Sequence, residues 1–115
     1  MPYLAERVDS LWSRGDIYDP AIRHRMTERP STVAARQIFG CIYDDVAGLR
    51  AREQIGMSQL MFESDYPHAD STFPNTAAVA QRLVDEVGLN DEETYQFLRG
   101  NAISCYRLDR YGVDR

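Results

Sequence analysis

Two short apolar runs constrain this chain more than any other feature. "QIFGCIYDD" is rich in β-branched and aromatic residues and ends in two carboxylates, which reads as a short buried strand over residues 38–43. "QLMFES" reads as a second strand. The segment between them, "VAGLRAREQIG", has helical character, with Asp44 or Asp45 as its cap and Gly56 as its stop. Strands alternating with helices indicate parallel βα units. Parallel sheets need both faces covered, and two strands alone would leave the apolar edges of 38–43 and 60–62 unpaired. The pattern therefore reads as part of a larger barrel, not as a complete small sheet.

The remaining elements are helical. Pro2 suits a first helical position, where a missing N–H costs nothing. Leu4, Val8, Leu11 and Trp12 then fall on one face of a helix that should stop near Gly15. Residues 16–30 read as a connection, with Tyr18, Ile22 and Met26 spaced for a short helical turn. Ser31 is placed to cap a helix through Val33 and Arg36. After a proline-bearing loop, Asn75 or Thr76 caps "AAVAQRLVDEVG", whose inner face is Ala80, Leu83, Val84 and Val87 and whose stop is Gly88. Asn90 or Asp91 opens a last helix with Glu93 in its first turn, carrying Tyr95, Leu98, Ala102, Cys105 and Tyr106. No internal repeat or low-complexity segment interrupts this order.

Composition excludes several functions. The 115 residues suffice for one domain, 1–115. A 43% hydrophobic and 27% charged content is that of a soluble globular protein. A net charge of −5 argues against nucleic acid as the main partner. The basic cluster Arg23, His24, Arg25 and Arg29 reads as a solvated face rather than an anion site. No apolar run approaches the roughly 20 residues that span a bilayer, so no membrane role is expected. The N-terminus lacks a signal-peptide pattern, which makes a cytoplasmic location the default. Cys41 and Cys105 read as buried free thiols, since neither belongs to a CxxC pair.

The chemistry-bearing stretch is "MFESDYPHADSTFP", residues 61–74. In a closed parallel barrel, chemistry sits at the C-terminal ends of the strands. Asp65 stands at that end of the second strand. A carboxylate there can ligate a divalent metal or accept a proton from a metal-bound water. An Asp after a strand is also a common cap or turn former. His68, three residues on, can reach back to orient the carboxylate or contact substrate. It can equally fix the Pro67 turn or face water, and the local sequence favours that structural role. Asp70 and Ser71 are expected to hold the loop by side-chain to backbone hydrogen bonds. Glu63 shares strand parity with Asp65, which makes it a secondary candidate for polar contacts or a salt bridge to an arginine. Ser64, Asp65 and His68 contain the residue types of a hydrolase triad. However, triad members converge from separate elements, and there is no GxSxG elbow, glycine-rich phosphate loop or calcium-loop spacing.

"MFESDYPHADSTFP" together with "LRGNAISCYRL" resembles the C-terminal part of the amidohydrolase 2 family, metal-dependent hydrolases and decarboxylases related to the aminocarboxymuconate semialdehyde decarboxylases. In that family the last barrel strand ends in an "SDYPH"-like motif, and a "GNA" motif follows in the closing helix. "PSTVAARQIFGCIYDD" and "GLRAREQIG" are similar to the segment around strand seven, and "PYLAERVDSLW" to the helix after strand six. The resemblance implies an α/β fold that is the C-terminal fragment of a TIM (β/α)8 barrel, its last two strands and their helices. It implies Asp65 as the strand-eight carboxylate that binds or works beside the metal, and His68 as the motif histidine. Asn101 and Ala102 match the "GNA" pair, with Asn101 bonding to neighbouring backbone and Gly100 allowing close packing.

The family's HxH histidines have no counterpart here, since His24 and His68 are the only histidines. A barrel takes about 250 residues. The resemblance thus implies a segment inactive by itself, from an enzyme acting on a small carboxylate or cyclic substrate with zinc or manganese as its divalent metal. The divalent metal is expected in the full-length enzyme, and a fragment without bound metal is compatible with the resemblance. The expected partners are a small-molecule substrate and a complementing barrel segment or second copy. A rival expectation is a truncated, non-catalytic interaction module that self-associates through exposed strand edges.

Overall fold

The computed structural model describes residues 2–15, 21 and 25–113, in two compact units that divide after Ile38. Among the described residues, the first unit holds α1 (Pro2–Ser13) and α2 (Pro30–Gln37). Proline opens both, as its fixed φ and missing N–H suit a first turn. Ser31 does not cap α2. It lies inside the helix, where its N–H and hydroxyl donate to the two carboxylate oxygens of Asp9 on α1 at 2.9 and 2.6 Å. The Trp12 indole N–H donates to Met26 O at 2.9 Å, and Arg36 makes a two-pronged pair with Glu28.

The apolar stripe of α1 has the expected spacing but not the expected burial. Leu4, Val8 and Leu11 are 55%, 40% and 39% exposed, and neither helix contributes a buried residue. Periodicity identifies the face; only a packing partner can bury it. Of the expected turn, Tyr18 and Ile22 lie outside the described residues, as do Arg23 and His24, while Met26, Arg25 and Arg29 are exposed.

The second unit is built on two strands, β1 (Gly40–Ile42) and β2 (Leu60–Phe62). They pair in parallel, with Gly40 opposite Leu60 and Ile42 opposite Phe62. Both are shorter than the apolar runs. Ile38 is consumed in closing α2, its N–H bonding to Ala34 O. Gln59 falls in a 3-10 turn, Met57–Gln59. The helix between the strands breaks at Ala51 into α3 (Val46–Arg50) and α4 (Arg52–Ile55). Asp45, not Asp44, caps α3 by accepting from Gly48 N at 3.2 Å.

After β2 come α5 (Thr76–Val87), α6 (Asp91–Tyr95), a π turn (Gln96–Gly100), α7 (Asn101–Tyr106) and a 3-10 turn, Leu108–Tyr111. Gly88 ends α5 in the left-handed region, φ 71°, which glycine enters without a Cβ penalty. Asn90 and Glu93 form a reciprocal capping box at the start of α6.

Ile42, Leu49, Leu60, Leu83 and Phe97 form one buried cluster. Phe62 meets Phe97 edge-on, centroids 5.7 Å apart. Full burial of each such side chain contributes roughly 1.5–3 kcal/mol. The last helical stretch contains the π turn, and Phe97 within it enters this core. A wider turn shifts the phase of every following residue. Phe97, Asn101 and Ile103 are buried, whereas Leu98 and Tyr106 are exposed. Gly100 sits inside the turn, where a Cβ would come within 2.8 Å of the Tyr95 ring.

Candidate functional site at the end of the second strand

β2 ends at Phe62, and the ladder extends one bond further, Glu63 N–H to Ile42 O at 3.0 Å. The chain then leaves strand geometry. Asp65 adopts φ 57°, in the left-handed region that L side chains other than Asn and Asp rarely enter. Strand parity therefore does not carry through to Asp65, and the expected shared direction of Glu63 and Asp65 loses its basis. Glu63 is exposed and forms no ion pair with an arginine among the described residues. Its carboxylate instead lies beside Cys41.

The loop turns back on itself in small steps. His68 N–H donates to Asp65 O at 2.9 Å, Ser71 N–H to His68 O at 3.1 Å, and Thr72 N–H to Ser64 O at 3.0 Å. The Tyr66–Pro67 and Phe73–Pro74 peptide bonds are cis. The rings of Tyr66 and Phe73 meet edge-on at 5.0 Å, so aromatic contact joins the two ends of the loop.

Inside this loop His68 Nδ1 lies 2.8 Å from Asp65 Oδ1. An ionised carboxylate only accepts, so the proton of this bond belongs to Nδ1. In the neutral ring that assigns the lone pair to Nε2, the nitrogen left for proton transfer or ligation. The side chains are 70% and 37% exposed, so the pair adds little to stability and its significance is orientation.

The end of β1 lies within electrostatic reach. Partial burial, then the charges of Asp70, Asp44 and Asp65, push the Tyr43 hydroxyl pKa up. Asp70 and Ser71 do not hold the loop through their side chains. That work falls to Thr72, buried at 7% exposure, whose hydroxyl approaches Ser64 O at 3.3 Å. Sequence reading passed over Thr72 because a threonine in a turn is unremarkable without its long-range partner; burial is the signal that distinguishes it.

Cys41 departs from expectation. It is exposed and Cys105 is half-buried, both as free thiols. Partial desolvation, reinforced by Glu63, pushes the Cys41 thiol up, away from the reactive thiolate form. A cavity of about 420 Å³ lies in the first unit, lined by Asp9, Trp12 and Arg29 among others, and includes neither Asp65 nor His68.

Asn101 behaves as its motif position implies. Its Nδ2 donates to Met57 O at 2.7 Å and Leu60 O at 2.8 Å, tying α7 to the entry of β2. The strand that ends in Asp65 is thus fixed at its start by the "GNA" asparagine.

A family model for amidohydrolases matches residues 1–108. The chain belongs to the amidohydrolase family. None of the curated proteins matches it. Membership brings a hydrolase-type lineage, and divalent metals are general in this family. The donor set of this amidohydrolase chain does not by itself fit a catalytic metal, which takes about three protein ligands. Among the described residues no three His, Cys, Asp or Glu side chains converge on one point. Asp65 Oδ1 is hydrogen-bonded to His68 Nδ1, and among the described residues no third ligand side chain joins them. Nor is any helix among the described residues long and apolar enough to cross a membrane.

Proposed function

We propose that this chain is the strand-seven and strand-eight segment of a (β/α)8-barrel, metal-dependent amidohydrolase, related to the aminocarboxymuconate semialdehyde decarboxylases. The enzyme would hydrolyse or decarboxylate a small carboxylate or cyclic substrate in the cytoplasm. Asp65 is the metal-site carboxylate in this reading, and His68 orients it and presents Nε2 toward the reacting groups. The supporting observation is the 2.8 Å Asp65–His68 contact at the C-terminal end of a parallel strand, the end where barrel enzymes place their chemistry. The remaining zinc or manganese ligands belong to strands other than β1 and β2, and the segment alone is inactive.

Elemental analysis tests the reading. The chain is expressed by itself and together with the region encoded upstream, each as wild type and as Asp65→Ala. The reading expects metal at close to one equivalent only in the combined protein, and a loss of about 10- to 100-fold in metal affinity or turnover on Asp65→Ala. Equal metal content and turnover in the variant overturns it.

The self-association reading keeps one observation in its favour. Gly40 and Cys41 on β1 are exposed, which leaves strand surface for a second copy. A stable dimer by sedimentation, with no metal bound in any form, would favour it.

A further inference from the structure

We propose that Thr72 is the positioning residue of the Asp65–His68 pair, a role that rests on the reading of those two residues as the working groups. Thr72 sits seven residues beyond Asp65, and its hydrogen bonds go to Ser64, Thr76 and Asn75. What it holds is the carbonyl of Ser64. The Thr72 N–H donates to that oxygen at 3.0 Å, and Thr72 Oγ1 lies 3.3 Å from it. The Ser64 carbonyl belongs to the same rigid peptide plane as the Asp65 nitrogen. Two donors on one oxygen fix the orientation of that plane, and rotation of Asp65 against it is φ itself.

Such a hold has something to select. Aspartate enters the left-handed region more readily than most L residues, but φ 57° is one of several conformations open to it, and the surroundings choose among them. The surroundings here are a buried threonine and a second hydroxyl, Thr76 Oγ1, 3.1 Å from Thr72 Oγ1. With one proton each, one hydroxyl donates to the other and Thr72 can spend its own on Ser64 O. Asn75 N–H then bonds to Thr72 O at 2.7 Å, which couples the clamp to the start of α5. The left-handed Asp65 in turn aims its carboxylate at His68 Nδ1 and accepts the His68 N–H on its carbonyl, at 2.8 and 2.9 Å. Releasing the Ser64 peptide plane loosens both contacts at once.

The experiment compares Thr72→Val, which keeps the branched shape and the N–H but removes the hydroxyl, with Thr72→Ser, which keeps the hydroxyl. The readouts on the purified chain are the ¹⁵N imidazole shifts of His68 at alkaline pH, which report its tautomer, and hydrogen exchange at the His68 amide. The proposal expects the Nδ1–H tautomer to fall about fivefold relative to Nε2–H in Thr72→Val, and His68 amide protection to fall by about the same factor, the worth of one hydrogen bond. Thr72→Ser should keep both near wild type. Unchanged tautomer and exchange in Thr72→Val overturn the proposal. So does an equal loss in Thr72→Ser, which would assign the effect to the methyl group. Neither readout passes through metal or turnover, so a failed enzymatic reading would leave these signals in place, and a failed clamp would leave the metal analysis in place.

Discussion

The two units of this chain are held by different forces. In the first, a carboxylate does the joining: Asp9 accepts two hydrogen bonds from Ser31, and the apolar side of α1 stays in contact with water. In the second, five buried apolar side chains from two strands and three helical segments form one core, and the polar ties, such as Asn101, are sheltered by it. The Asp9–Ser31 bonds are part-buried and keep some competition from water, which lowers their net worth. The same bond in a core replaces an unsatisfied group and is costly to break. The comparison teaches that local helical pattern alone does not tell which of two helices is stabilised by packing.

The largest break in that contrast should come from Phe97→Ala. Phe97 is 1% exposed, and truncation of a buried phenylalanine costs about 3–5 kcal/mol. Urea unfolding followed by the ring signals of Phe62 should show the second unit losing most of its stability. Next is Asn101→Leu, which leaves the Met57 and Leu60 carbonyls without their donor at a cost of about 1–3 kcal/mol. Its midpoint in urea should fall while helix content of α1 holds.

A smaller effect is expected from pH at Glu93. The Arg52 guanidinium at 2.7 Å, then the Asn90 N–H, hold its carboxyl below the usual range. A lowered folded pKa gives stability that is present above the unfolded value and lost as pH falls through the folded one. Glu93→Gln should flatten the acid limb of unfolding below about pH 4.5, at a cost of about 1 kcal/mol at neutral pH.

The first unit should respond least. Asp9 is also held low, by the Ser31 hydroxyl and then the Ser31 N–H, so the protection of the Ser31 amide, taken relative to its intrinsic exchange rate at each pH, should fall as pH drops below the usual carboxylate range. Leu11→Ala, on the exposed stripe, should change the unfolding free energy measured in urea by no more than about 0.5 kcal/mol. A loss near that of Phe97→Ala would show that the stripe of α1 is packed after all and would erase the distinction between the units.

Much of the architecture was legible. Both strands, a cap at Asp44 or Asp45, another at Asn90 or Asp91 and the stop at Gly88 follow from short-range rules, because each depends on a few neighbouring residues; the structure selects Asp45 and Asn90. The candidate pair was legible as residue types, since Asp65 and His68 are three apart and end a strand. Its hold was not, because Thr72 matters only through a backbone oxygen eight residues earlier. The π turn was not legible either, because it carries no residue signature, and the 3.6 period was carried straight through 96–100.

By itself, then, the sequence determined the order of helices and strands, the short-range caps and the family, all set by contacts within a few residues or by motif identity. Tertiary structure alone decided which apolar faces are buried, that Ser31 serves Asp9 and not a cap, and that Asp65 is turned into a left-handed conformation toward His68. Those outcomes depend on groups distant along the chain arriving at one place, and a linear pattern records the groups without recording their meeting.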